Sequence, residues 1–190
     1  MADYLRGTPA SRRSATISQV RLAADAGERT ITSNCQALLH VIAYAEGTST
    51  SPATRCDGYD VIVTGEDGRP EVFTDFSTHP FAKGRPSKVI RPGLTSNASG
   101  RYQFMLLHYS YYKKELDLPN FGPEAQDRWA VRLISERHAL RMIDAGEFEE
   151  AIRAIAPLWA SLPGANYKDQ NMRKLGELKD AYLRFGGVLA

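Results

Sequence analysis

Residues 34–49 read Asn-Cys-Gln-Ala-Leu-Leu-His-Val-Ile-Ala-Tyr-Ala-Glu-Gly-Thr-Ser. Leu38, Leu39, Val41, Ile42 and Ala45 fall at the spacing that lines one side of a helix with apolar groups. Asn34 suits the N-cap, and Gly47 suits the stop. A helix is therefore expected over 35–46. Glu46 follows Ile42 and Leu39 at helical spacing, so it lies on or beside the buried stripe at the helix end. The negative end of the helix dipole disfavours a charged carboxyl there, and partial burial acts the same way. A glutamate with a raised pKa is what a general acid at neutral pH requires. The competing reading is a surface glutamate that reaches solvent from a frayed helix end.

Beyond this helix, Tyr59 to Val63 and Glu71 to Phe76 read as two strands. The turn residues Gly65-Glu-Asp-Gly-Arg-Pro70 between them predict a β-hairpin. Residues 77–100 are rich in Pro, Gly and Ser and read as a long connection. Helical patterns then run over Arg101–Leu116, Pro123–His138, Phe148–Trp159 (kinked by Pro157) and Asp169–Phe185. A small hairpin set among helices predicts an α+β domain, mainly helical, over residues 34–190. Residues 1–33 differ from the rest: arginines, Ser and Thr outweigh large apolar side chains. They read as an N-terminal arm or linker, with a short helix over Gln19–Ala26 as its one structured piece.

The composition narrows the function. Hydrophobic residues make up 43% of 190, enough for a core that needs no metal or disulfide. A net charge of +2 is too small to argue for nucleic acid. No apolar run is long enough to span a bilayer, and no signal peptide is readable at the N-terminus, so synthesis in a cytoplasm is expected. Cys35 and Cys56 lack the partners of a zinc site and are expected to be free thiols, Cys35 in the core and Cys56 in a loop. Between Ser77 and Lys114 there is no acidic residue, whereas Lys83, Arg85, Lys88, Arg91, Arg101, Lys113 and Lys114 fall there. That is either a surface for an anionic polymer or a solvated loop balanced by acidic neighbours in the fold.

Hydrolases of sugars usually carry two carboxylates. Asp60 and Asp75 on the hairpin are the candidates to join Glu46. Asp60 serves equally well as a partner for a strand end or a loop arginine. His40, His79, His108 and His138 form no metal-like pair, and neither a GxSxG elbow nor a P-loop is present. The aromatic residues around Arg101–Tyr112 suit sugar stacking, but they also suit a core.

Five blocks carry a resemblance. AYAEGTS at 43–49, DGYDVIV at 57–63, FTDFSTHP at 73–80, SGRYQF at 99–104 and WASLPGANY at 159–167 stand in one order and spacing. Together they resemble the lambda endolysin family of lytic transglycosylases, across residues 36 to 187. The resemblance implies a lysozyme-like fold. It also implies cleavage of the β-1,4 bond between N-acetylmuramic acid and N-acetylglucosamine in peptidoglycan, leaving a 1,6-anhydro-muramyl end. It places the catalytic acid/base at Glu46 and nominates Gln103, and also Ser99, Tyr102, Tyr167 and Asp60, as residues that contact the sugar. Neither a cofactor nor a metal is implied. A transglycosylase needs only one carboxylate, so a missing second one is no defect.

The resemblance also implies action on periplasmic peptidoglycan after release by a holin or delivery by the virion. The arm, the longer turn at 64–71 and Pro157 depart from the family pattern. The alternatives are a hydrolytic muramidase that pairs Glu46 with Asp60 or Asp75, and a murein-degrading or murein-binding virion or tail component docked through residues 1–33.

Overall fold

A computed structural model describes residues 21–24, 27–165 and 173–190, with side chains from residue 31 onward. Helix α1 (Ser33–Ala45) is the centre of the molecule. Cys35, Ala37, Leu38, Leu39, Val41, Ile42, Ala43 and Ala45 are all buried, so the expected stripe widens to most of the helix circumference. The reason is its surroundings: α1 packs against α3 (Pro123–Glu136), α4 (Ala139–Asp144) and α6 (Leu175–Arg184), and α5 (Phe148–Ile155) packs on α4 and α6.

The cap of α1 is Thr32, not Asn34: the Thr32 hydroxyl accepts from the Cys35 N–H at 3.1 Å. Asn34 sits one step inside the helix and works at long range. Its Nδ2 donates to the Ile143 carbonyl at 2.9 Å, and its Oδ1 accepts from the Val188 N–H at 2.8 Å. Both residue types favour caps, so the sequence could not separate them. Ile31 is buried and Thr32 donates to Asp144 at 2.6 Å, so the packed body takes in both residues.

Ahead of that body, β1 (Arg21–Ala24) and β2 (Gly27–Thr30) pair antiparallel, with Arg21 opposite Thr30. This corrects the short helix expected over Gln19–Ala26, of which only 21–24 are among the described strand residues here. An isolated helix of two turns pays for its nucleation with few hydrogen bonds, whereas a paired strand gains a partner at once.

The expected hairpin is present but short: β3 (Val61–Ile62) pairs with β4 (Glu71–Val72). The connection expected over 77–100 holds a second hairpin, β5 (Lys88–Arg91) with β6 (Leu94–Ser96), turning at Pro92-Gly93 with Gly93 at φ 78°. Pro followed by a left-handed Gly is itself a turn signal, hidden here by the Pro- and Ser-rich flanks. Segment 98–100 runs beside β3, with Val63 N–H donating to Ala98 O at 3.0 Å and Gly100 N–H to Val61 O at 2.8 Å.

Helix α2 spans Leu106–Glu115, shorter than expected, because residues 99–104 form a tight turn first. Helix α3 begins at Pro123 as expected. It ends at Glu136, and His138, in a left-handed conformation at φ 58°, leads into the unforeseen α4. Pro157 lies in a 3-10 turn over Ala156–Leu158 that closes α5, so it ends that helix rather than kinking it.

The aromatic residues divide clearly. Phe104 stacks on Trp129 at 3.9 Å, and Phe73, Phe121, Tyr102 and Tyr109 are buried around them. His79 is also buried; its Nε2 lies 3.0 Å from the Phe104 carbonyl, and its Nδ1 accepts from the Phe81 N–H. The FTDFSTHP block thus anchors in the core through Phe73 and His79, while Thr74, Asp75 and Ser77 stay exposed. Among the described residues no helix is long and apolar enough to cross a membrane.

Asn34→Ala removes the joint between α1, α4 and the C-terminal segment. We expect a loss of about 1–3 kcal/mol, the cost of leaving partly buried polar groups unpaired, read as a lower midpoint in urea at unchanged slope.

Candidate active site

Glu46 is the residue immediately after α1, with helical backbone angles and its N–H bonded to Ile42 O at 2.9 Å. Gly47 then takes φ 74°, and the chain turns away. The carboxyl is thus left at the helix end, half-buried, where the Ser161 hydroxyl donates to its Oε1 at 2.6 Å. Burial pushes its pKa above the ordinary glutamate range, and the hydrogen bonds from Ser161 only partly offset this. The carbonyl end of α1 acts in the same direction as burial.

Beside Glu46 opens a cleft of about 420 Å³. Its walls are the loop after α1 (Gly47, Thr48, Thr50, Ser51, Pro52), the short sheet with the chain beyond it (Val61, Ile62, Val63, Thr64, Pro70) and Gln103. Glu46 is the one acidic residue among these. Gln103 holds a left-handed conformation at φ 49°, and its Nε2 donates to the Gly100 carbonyl at 3.0 Å. The cleft therefore presents a protonatable carboxyl, neutral hydroxyl and amide groups and an apolar strand edge. That inventory suits an uncharged, hydroxyl-rich polymer and an acid-catalysed bond cleavage.

The endolysin family model matches residues 36–189. The chain belongs to the endolysin family. It is 52% identical to the endolysin of Escherichia phage P2 over 83% of this chain and 95% of that protein. It is 43% identical to the endolysin of Escherichia phage lambda, over 81% of this chain and 92% of that one. Among solved structures it resembles bacteriophage lambda lysozyme complexed with a chitohexasaccharide. That match has a TM-score of 0.77 and 39% identity, over 85% of this chain and 99% of the other. The fold is thus the α+β lysozyme-like one.

The other nominated residues of this endolysin fall in different places. Ser99 and Tyr102 are fully buried. Ser99 Oγ donates to Asn97 O at 3.1 Å, and Tyr102 OH donates to Asp127 at 2.6 Å. Both shape the turn that carries Gln103 and do not line the cleft. Asp60 is buried as well: it accepts from the Thr54 hydroxyl at 2.5 Å and the Arg55 N–H at 2.9 Å, and so organises loop 54–60. Asp75 is exposed. Hydrogen bonds from Ser77 and Lys83 hold its pKa well below the usual range. Tyr167 lies outside the described residues.

The acid-free stretch is balanced in part by acids from elsewhere in the sequence. Lys83 pairs with Asp75, and Arg85 and Lys88 both pair with Glu71, so the balanced-loop reading holds for those three. Cys35 is buried, its thiol pushed up to about 12 by burial, and Cys56 is half-buried; both are free. Among the described residues no group of three or more His, Cys, Asp or Glu is placed to hold a metal.

Ser161 is the site residue that sequence reasoning missed, although it lies inside the WASLPGANY block. The contact spans 115 positions, and no local pattern signals it.

The burial of Glu46 has a consequence for stability. A raised folded-state pKa means that the ionised form is disfavoured in the fold. The cost is absent below the ordinary glutamate range and fully present above the folded pKa. Glu46→Gln removes it while keeping an oxygen for Ser161. The Tm of this variant should exceed that of the parent at neutral pH, with the gap closing on acidification toward pH ~4. A Tm difference that does not change with pH would contradict the assignment.

Proposed function

We propose that this endolysin, a peptidoglycan-degrading enzyme of phage lysis, works as a lytic transglycosylase with Glu46 as its single acid/base. The carrying observation is the cleft inventory: among the described residues the walls carry one carboxylic acid, Glu46, and no second carboxylate. Neither Asp60, buried in its loop, nor Asp75, exposed beside Lys83, lines the cleft, so neither is placed to act as a nucleophile or as a base for water.

In the first step Glu46 donates its proton to the glycosidic oxygen as the bond to the muramic C1 breaks. The Glu46 carboxylate so formed takes the proton of the C6 hydroxyl of the same sugar, whose oxygen attacks C1. An internal hydroxyl is tethered to the reacting ring, and its effective concentration far exceeds that of an untethered attacker. Ser161 suits both halves of this cycle, because a hydroxyl can donate to the carboxylate and accept from the acid. Gln103 is assigned to sugar binding across the cleft. The glycan is the polymer of the lambda-type substrate, β-1,4-linked N-acetylmuramic acid and N-acetylglucosamine. No cofactor enters the reaction.

Digested peptidoglycan should yield muropeptides lighter by one water than their hydrolysed counterparts and inert to borohydride. Glu46→Gln should abolish clearance of cell-wall suspensions while remaining folded. Dominantly reducible muramic ends would identify a hydrolase instead.

We further assign catalysis to the packed body from Ile31 onward and leave the preceding arm for another task, docking to a phage particle included. A chain that begins at Ile31 should clear isolated sacculi at a rate within about twofold of the full chain, since every cleft-lining residue among the described ones lies at Glu46 or beyond. A truncated protein that folds but fails to clear them would place the arm in the active domain.

A further inference from the structure

Glu46 and Gln103 stand on separate pieces of chain, and one buried residue touches both. Arg101 is 1% exposed. Its carbonyl accepts from the Thr48 hydroxyl at 2.6 Å, two residues beyond Glu46. Its N–H donates to Gln126 Oε1 at 2.8 Å, two residues before Gln103. Its guanidinium reaches back to α1, where Nη2 donates to His40 Nδ1 at 2.7 Å. Nη1 meets the Asp57 carboxylate at 2.7 Å and also the Asp57 carbonyl, and the group lies over the Tyr59 ring at 5.0 Å.

The turn around Arg101 is fixed from α3. Gln126 Nε2 donates to the carbonyls of Tyr59 at 2.9 Å and Phe121 at 2.8 Å. A Cβ on Gly100 would lie 2.2 Å from Gln126 Oε1, so only glycine fits there. Asp127 accepts from Tyr59 at 2.7 Å and from Tyr102 at 2.6 Å, and Trp159 Nε1 donates to the Tyr102 carbonyl at 3.0 Å. For stability alone, an apolar side chain would fill this space at lower desolvation cost than a guanidinium. What an apolar residue cannot do is fix α1, loop 57–60 and the Gln103 turn by directed bonds at once.

We propose that Arg101 is a positioning residue for the cleavage reaction: it holds Glu46 and Gln103 in one geometry, and its acceptor His40 makes that hold sensitive to pH. The inference rests on Glu46 as the acid/base. His40 Nδ1 accepts only while it carries no proton; a protonated ring would offer a donor and set a second cation against the guanidinium. The charged groups that act on His40 are Arg101 and Asp57, while Phe185 of α6 stacks on the ring at 4.9 Å and brings no charge. Burial first, and Arg101 second, lower the His40 pKa below its ordinary value, against an opposing pull from Asp57. The hold is therefore intact above the ordinary histidine range and fails on acidification below it. Acidification keeps Glu46 protonated, the form that starts the reaction, so loss of activity at low pH points to the partners that hold Arg101, and His40→Asn separates the His40 contribution from that of Asp57.

The test compares the full chain with Arg101→Lys, His40→Asn and Glu46→Gln. Each variant is checked for its folded state by near-ultraviolet circular dichroism at every pH used. Rates are measured on solubilised glycan strands. Lysine keeps the charge but loses the fork, so Arg101→Lys should lower kcat roughly 10- to 100-fold with KM within about twofold. Asparagine offers an oxygen near the Nδ1 position and cannot take a proton. His40→Asn should lose less kcat than Arg101→Lys, and its acid limb should move to lower pH or vanish. A folded Arg101→Lys with parental kcat, or His40→Asn with the parental acid limb, overturns the proposal. An active Glu46→Gln would overturn the reading of the site beneath it, whereas an inactive one beside an unimpaired Arg101→Lys overturns the positioning role alone.

Discussion

The desolvation of one carboxyl is the constraint on which the site depends. Glu46 is brought to the end of a helix that is buried on nearly all sides, so its carboxyl meets protein where a surface glutamate would meet water. A charge placed there is disfavoured, and the proton stays on to higher pH. The widened core around α1, the cap at Thr32 and the joint through Asn34 all hold that helix where its last turn delivers Glu46 to the cleft.

A carboxyl so placed works only if the groups facing it stay put. The molecule meets this need with a buried polar network that crosses several elements. Ser161 comes from the segment after α5, Gln126 and Asp127 from the first two turns of α3, Thr48 from the loop after Glu46, and Arg101 from the turn before Gln103. Nearly every member of the network is fully or largely hydrogen-bonded, the condition under which a buried polar network stiffens a structure instead of weakening it. Next to Gln103, Phe104 stacks on Trp129 in the aromatic core and its carbonyl meets His79 Nε2, so the turn is anchored from that side as well.

The elements legible in the sequence were those with local causes. Helix α1 was marked by its apolar spacing and Gly47, α3 by Pro123 at its first position, and the β3–β4 hairpin by the turn residues at 65–70. Glu46 was legible because its placement follows from the same spacing, and Gln103 because of the block that holds it. What escaped reading had causes far along the chain. Thr32 and Asn34 divided capping and cross-linking in a way that only α4 and the C-terminal segment decide. The β5–β6 hairpin was masked by its Pro- and Ser-rich flanks, and α4 by a left-handed histidine where a glycine would have announced the break. Ser99, Tyr102 and Asp60 belong to recognisable blocks, yet all three are buried and hydrogen-bonded within the protein. A block of sequence thus marks a site without saying which of its residues face the substrate.

Catalysis by Glu46 as the acid requires the carboxyl to be protonated in the free enzyme. The most direct measurement is a carbon NMR titration of the side-chain carboxyls, with the Glu46 signal assigned by its disappearance in Glu46→Gln. A midpoint above the ordinary glutamate range is expected, with a further rise when Ser161→Ala removes the hydroxyl that favours the charged form. A Glu46 that titrates at or below the ordinary glutamate value would contradict this role, because such a group is ionised at neutral pH and has no proton to give the glycosidic oxygen.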